Sequence, residues 1–274
     1  MRNIVIIGSD SYLAKGIENF LGEVKLNFLE FNTWQQNIDL LKQADYIICF
    51  AIHPEFMKRD MDCSEIIDIQ IAETIKDSNA KFVFMSSRKV YGTTNECVVH
   101  KETDRAEGFD FYSFNKVKTE KALQDILGDR VLILRIANIL GEPVFRTGYK
   151  TFIGWICENY IQTGKLEVTQ NVNAIKDFIP KDFLHKAISA LIENNATGIY
   201  NISSGFGTSV EKVLAGYVGK ENLILMGQDK EKQDQFILNN DKLLKNTGLS
   251  ISQVDIDNYL LQCKKILDNY KANV

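Results

Sequence analysis

Tyr112 and Lys116 stand four residues apart in the run Tyr112-Ser-Phe-Asn-Lys116. On a helix, that spacing projects both side chains from one face. An ammonium beside a phenol favours the phenolate, which turns a tyrosine into a usable proton donor and acceptor near neutral pH. A chain with 10 tyrosines supplies about one such pair by chance, so the pair alone decides nothing. The third group is Ser87, about 25 residues upstream at the end of the apolar run that starts at Phe82. A hydroxyl past a strand can hold a carbonyl oxygen for the tyrosine, although a serine there is also an ordinary helix cap. The weight lies in the conjunction of all three in this chain order.

The elements that must position these groups recur as short β-branched or aromatic runs followed by helical patterns, the alternation of parallel strands and crossover helices. The first strand is expected over 3–7, a helix over 12–21 and a second strand over 26–31. One helical stretch over 34–43 precedes a strand over 46–51, so the usual third strand and its helix are shortened or missing. A helix over 65–77 leads into a strand over 81–85, which places Ser86 and Ser87 just past its carboxyl end. A helix over 111–126 and a strand over 131–135 follow. Later segments give helices over 152–162, 209–217 and 256–270 and a strand over 199–202. Between the first strand and its helix lies Gly8-Ser9-Asp10-Ser11-Tyr12-Leu13-Ala14. A helix amino terminus with close backbone approach is a place for a pyrophosphate. Here Ser11 and Ala14 occupy positions where glycines are expected, and a plain tight turn is an equal reading.

Composition bounds the rest. With 274 residues, 45% hydrophobic and 25% charged, the chain is long enough for a sizeable core. A net charge of −4 gives no general attraction to nucleic acid or anionic lipid. The apolar run before Gly8 is too short for a signal core or a membrane span, so a cytoplasmic location is expected. Cys49, Cys63, Cys97, Cys157 and Cys263 form no CxxC pair, and buried free thiols are expected rather than disulfides or a metal site. His53, His100 and His185 have no spacing that suggests a base or ligand, and no Gly-x-Ser-x-Gly elbow surrounds Ser86 or Ser87.

Taken in order, the glycine turn, Ile48-Cys49-Phe50-Ala51, Ser87 before Val90-Tyr91-Gly92, Tyr112-Ser-Phe-Asn-Lys116 and Leu134-Arg135-Ile-Ala-Asn138-Ile-Leu-Gly141 resemble an extended short-chain dehydrogenase/reductase of the nucleotide-sugar epimerase/dehydratase group. Lys176-Asp177-Phe178-Ile179 and Gly198-Ile-Tyr-Asn-Ile-Ser-Ser-Gly205 resemble two further segments of that group. The resemblance implies an α/β fold, a Rossmann-type doubly wound parallel sheet over 1–141 that also takes in about 174–204. A smaller substrate-binding lobe would comprise 142–173 and 205–274. It implies Ser87, Tyr112 and Lys116 as the catalytic set. Gly8, Asp10, Ser11, Tyr12, Leu13, Asn32, Phe50, Ala51, Ile52, Ile136 and Asn138 would hold the cofactor together with Tyr112 and Lys116. Ser87, Arg88, Tyr112, Asn138 and Lys176 would meet a nucleotide-diphosphate sugar. By the same resemblance the helices 65–77 and 111–126 would pack against their copies in a homodimer.

Within the group, 4,6-dehydratases carry an Asp-Glu pair after the catalytic hydroxyl residue, since removing a sugar proton and expelling water needs an extra base and acid. Arg88 and Lys89 stand there, which argues against dehydration. The glutamate of sugar-acid decarboxylases and the cysteine of GDP-fucose synthases are missing too. NAD(P)H-dependent reduction of a keto-sugar is the first expectation, with NAD-dependent C4 epimerisation as the alternative. A non-catalytic dinucleotide-binding sensor is the reading from another class. Arg88 and Lys89 are read as a solvated pair that has phosphate contact as its other option. The end of the second strand is placed at Asn32, a neutral residue that admits either cofactor, with Glu30 pointing elsewhere. A slight lean to NADP follows from analogy with reductive biosynthesis.

Overall fold

The computed structural model describes residues 1–94, 96–143, 152–169, 172–226 and 235–273. Strands β1 (Arg2–Ile7), β2 (Val24–Leu29), β3 (Tyr46–Cys49) and β4 (Lys81–Ser87) join Val131–Ile136 and Gly198–Ile202 in a 6-stranded sheet. Its order is Gly198–Ile202, Val131–Ile136, β4, β3, β1, β2, and every neighbouring pair is parallel. Parallel strands covered on both faces are apolar throughout. Here Ile4 and Ile6 of β1 enter one core while Val5 and Ile7 enter the other. Helix Lys181–Glu193 covers the first face with Phe183, Leu184, Ala187, Ile188, Leu191 and Ile192. Helices α1 (Ile38–Lys42), α2 (Ile67–Ile75) and α3 (Phe111–Leu127) cover the second with Leu41, Ile71, Ile75 and Leu123.

From β1 the chain crosses to β2 on one side, and β3 then pairs on the other side of β1. The carboxyl ends of β1 and β3 therefore frame the crevice where the strand order reverses, the position at which open α/β sheets take their ligands. A separate apolar cluster joins Ile153, Ile156 and Tyr160 to Leu214, Tyr217, Leu260 and Leu267, drawn from the later segments. The lobe expected over 142–173 and 205–274 lies partly outside the described residues. No described helix is long and apolar enough to cross a membrane, and no group of three metal-ligating side chains occurs among the described residues.

Several expectations are corrected. The helix expected over 12–21 is replaced by successive turns and the short 3-10 helix Ile17–Asn19. Ser11 Oγ accepts the Leu13 N–H, and Gly16 takes φ +91°, so the local hydrogen bonding competes with a helix. β4 runs through Ser86 and Ser87 instead of stopping before them. Helix Lys181–Glu193 was not anticipated, although its apolar residues recur at helical spacing. The cysteines form no disulfide, as expected, but Cys63 and Cys97 are exposed, and Cys49, Cys157 and Cys263 are buried.

Candidate active site

Gly8 follows β1 with φ +78°, and its missing side chain is what the site requires: a Cβ there would lie 2.6 Å from the Ala51 nitrogen just after β3. Backbone turns and a distant side chain, not a helix, hold the segment that follows. Ser11 carbonyl accepts Ala14 and Lys15 N–H groups, Ala14 is buried, and the Leu13 carbonyl accepts the Nε2–H of His185 at 2.8 Å. Burial lowers the His185 pKa, in keeping with a neutral ring. The Tyr12 hydroxyl occupies the space that a side chain on Gly141 would need, and the Lys181 ammonium lies 4.8 Å from the Tyr12 ring centroid. The sequence did not show the supports from Gly141, Lys181 and His185 because these residues lie far along the chain.

Helix α3 begins at a capping box in which Asp110 accepts the Ser113 N–H at 2.8 Å and Ser113 Oγ accepts the Asp110 N–H at 3.0 Å. This start sets Tyr112 and Lys116 on the face toward β4. Lys116 is only 4% exposed and donates from Nζ to the Met85 carbonyl at 2.6 Å. The same ammonium lies 5.7 Å from the Tyr112 ring centroid, 4.5 Å from Phe84 and 5.0 Å from Phe56. Ser87, the last residue of β4, caps the 3-10 helix Arg88–Tyr91 and accepts the Lys89 N–H at 3.3 Å. An oxygen that already accepts leaves its own O–H to donate to a carbonyl.

Two cavities meet at these side chains. One of about 290 Å³ is lined by Ser11, Leu13, Phe50, Ala51, Ile52, Ser87, Tyr112, Lys116 and Ile136, with Cys49, Met85, Ser86, Ala137 and Ile139 completing it. The other, about 430 Å³, is lined by Met57, Arg88, Lys89, Asp110, Phe111 and Asn138, and it shares Ser87, Tyr112, Ile136 and Ala137 with the first. Ser87 and Tyr112 thus stand between two chambers. Asn32 sits elsewhere, with Phe31, Trp34 and His53 around a third cavity of about 480 Å³. β2 ends at Leu29, so the exposed Glu30 and not Asn32 is the first residue past the strand. Asp10 is exposed, and Lys176 pairs with Thr208 in a small sheet and lines neither chamber. Arg88 and Lys89 are not a solvated pair: Arg88 is 8% exposed with its guanidinium 3.9 Å from the Phe236 ring centroid, and Lys89 binds Asp110 at 2.8 Å.

Comparison with known proteins adds that residues 4–203 match the model of the NAD dependent epimerase/dehydratase family. The chain belongs to that family. A UDP-glucose 4-epimerase from Bifidobacterium longum subsp. longum is 28% identical over 159 residues, which cover 50% of this chain and 46% of that protein. The match thus spans about half the length of the curated relative. Among solved structures, a UDP-N-acetylglucosamine 4-epimerase from Methanobrevibacter ruminantium M1, in complex with UDP-N-acetylmuramic acid, superposes with a TM-score of 0.80 at 15% identity, covering 98% of this chain and 99% of that one. RMD from Pseudomonas aeruginosa, complexed with NADPH, gives 0.73 at 16% identity and full coverage of both chains, 100% each. At such identities the two superpositions carry the fold.

For this member of the NAD dependent epimerase/dehydratase family, the residues present fit a dinucleotide. Gly8 leaves the backbone of Ala51 uncovered at the switch point, and the apolar chamber beside it ends on Tyr112 and Lys116. Behind the serines runs a buried polar network that sequence reading missed. Ser86 Oγ donates to Glu120 Oε1 at 2.5 Å, and Arg135 donates to both Glu120 oxygens at 2.7 to 3.2 Å. The Arg135 guanidinium also lies 4.8 Å from the Tyr91 ring, whose hydroxyl donates to Asn201 at 2.7 Å. Burial pushes the Tyr91 phenol up to about 12, and the Glu120 carboxylate holds Arg135 firmly protonated. Glu120 stands four residues after Lys116, and that spacing was the available signal.

Proposed function

We propose that this chain carries out hydride and proton transfer at a sugar hydroxyl or ketone of a nucleotide-linked sugar, and that it works as an NAD-dependent C4 epimerase. The observation that carries the reading is the position of Ser87 and Tyr112 on the wall shared by two chambers. A bound nicotinamide in the smaller chamber would supply the hydride acceptor and donor. Tyr112 would take the hydroxyl proton as the sugar carbon is oxidised and return it when the ketone is reduced. Lys116 would set a positive charge beside the tyrosine ring, and Ser87 would donate to the reacting oxygen. Gly8, Ser11, Leu13, Phe50, Ala51, Ile52 and Ile136 would hold the dinucleotide, and Asn138 and Arg88 would face the sugar. The epimerase reading draws on the partial match to a UDP-glucose 4-epimerase. Reduction of a free keto-sugar uses the same half-reaction and is the second reading, favoured by the short segment between β2 and β3.

The residue after β2 bears on the cofactor. An acidic side chain there accepts a hydrogen bond from the adenosine ribose and repels a 2′-phosphate. Glu30 occupies that place, which moves the reading from NADP toward NAD. The wild-type protein is expected to bind NADH at least about tenfold more tightly than NADPH, the size of one charge-assisted hydrogen bond. Glu30→Ser should bring the two affinities within about threefold of each other. Fluorescence titration of cofactor-free protein checks both, and an unchanged ratio in the variant removes Glu30 from the cofactor site.

The test of the function is to purify the protein without added nucleotide, denature it and quantify released NAD(H) and NADP(H). Near-stoichiometric NAD supports the epimerase, which must keep its hydride between two half-reactions. An empty site that binds reduced cofactor reversibly supports the reductase. Failure to bind either removes the oxidoreductase reading and leaves the sensor without a ligand as well.

A further inference from the structure

The helix missing after β1 leaves carbonyls that need other donors. In a helix begun at Tyr12, the Leu13 carbonyl would accept the Ile17 N–H four residues on. Here that N–H goes to the Ala14 carbonyl at 3.2 Å. The Leu13 carbonyl is taken instead by the Nε2–H of His185 at 2.8 Å. Phe20 ends the short 3-10 helix Ile17–Asn19, and its carbonyl accepts from Ser189 Oγ at 2.7 Å, closer than that hydroxyl's 3.1 Å approach to the Glu193 carboxylate. His185 and Ser189 are four apart on helix Lys181–Glu193, so one face of that helix serves both carbonyls. Lys181, four residues earlier, lies against the Tyr12 ring. His185 is fully buried, its ring is tilted against Phe20 with centroids 5.4 Å apart, and its Nδ1 has no hydrogen-bond partner among the described residues. An unpaired buried nitrogen makes histidine a costly choice for packing alone. What it supplies here is the single donor on Nε2.

We propose that His185 and Ser189 are positioning residues for the dinucleotide, donors that replace a helix's own hydrogen bonds and fix the segment 11–20 against the smaller chamber. Ser11 and Leu13 of that segment line the chamber, and the role stands on the reading of this chamber as the cofactor's. A turn already held in shape spares the dinucleotide the cost of ordering it on binding. Without the His185 donor the Leu13 carbonyl loses its partner, and the segment opens more often while the sheet beneath it stays closed. The two donors lie outside both chambers, so they act on the cofactor only through the turn.

The test sets His185→Met against His185→Gln. The two side chains have similar length, and only glutamine carries an amide N–H for the Leu13 carbonyl. Cofactor-free protein is titrated with NADH. In parallel, hydrogen exchange is followed by mass spectrometry over 9–20, where the Ala14, Lys15, Ile17, Asn19 and Phe20 amides are hydrogen-bonded, with α3 as the reference. His185→Met should raise the NADH Kd about tenfold and speed exchange in 9–20 at least about fivefold, with α3 unchanged. His185→Gln should stay within about threefold of wild type in both. If His185→Met does not fold, Ser189→Ala carries the test with shifts of the same sign, since it removes one donor and little volume. Exchange that quickens equally in 9–20 and α3, or an NADH affinity that the donor's loss leaves unchanged, overturns the positioning role. Wild-type protein that binds no dinucleotide overturns the cofactor reading and the dinucleotide role with it, whereas faster exchange confined to 9–20 still shows that the donors hold the turn.

Discussion

Tyr112→Phe is expected to lower turnover by about a hundred- to ten-thousandfold, the range supplied by one positioned acid or base. Cofactor affinity should stay nearly constant, because the ring that walls both chambers and meets Phe56 edge-on at 5.9 Å is retained. Stability should also hold, since the half-buried ring keeps its packing. The measurement is a steady-state kcat alongside a cofactor titration on the same preparation. Loss of both together points to a disturbed fold and not to a missing proton donor. Full activity in the variant assigns the proton transfer to another group.

Glu120→Ala should destabilise the protein by about 3–5 kcal/mol, the cost of leaving one member of a buried ion pair unpartnered. The side chains of Arg135 and Glu120 are 4% and 5% exposed, and removal of the carboxylate strands both the guanidinium and Ser86 Oγ. The double variant Glu120→Ala, Arg135→Met should be less destabilised than the single, because no buried charge is then unpaired. Urea unfolding midpoints for the two variants check this. A single variant within about 0.5 kcal/mol of wild type shows that water reaches the guanidinium.

Much of the frame was legible because β3, β4 and Val131–Ile136 are continuous apolar runs with both faces buried. The order of Ser87, Tyr112 and Lys116 along the chain was legible for the same reason, each lying on or beside such an element. Boundaries were harder where polar side chains compete for the backbone. The turn after β1 reads as a helix by its apolar spacing, yet Ser11 and Gly16 divert it. β2 reads through Phe31 by composition, but Phe31 leaves the sheet to pack against the second core. Glu120 stood in plain view in the chain, and its partners come from other elements: Ser86 from β4 and Arg135 from the strand Val131–Ile136. Single-sequence periodicity reports which face is apolar and is silent on which polar groups meet inside it.

Asn115 of α3 holds the loop 53–62 by three bonds, donating from Nδ2 to the Phe56 and Arg59 carbonyls and accepting the Met61 N–H. That loop places Phe56, 1% exposed, behind the Tyr112 and Lys116 pair, and Met57 in the wall of the larger chamber. Neighbouring residues on one anchored loop therefore serve opposite sides of the tyrosine. The loop cannot swing to widen the entrance without loosening the packing at the tyrosine's back. Under the proposed function, admission of a bulkier sugar and alignment for proton transfer would be bound together, so selection for a new substrate at Met57 would act on reaction rate as well.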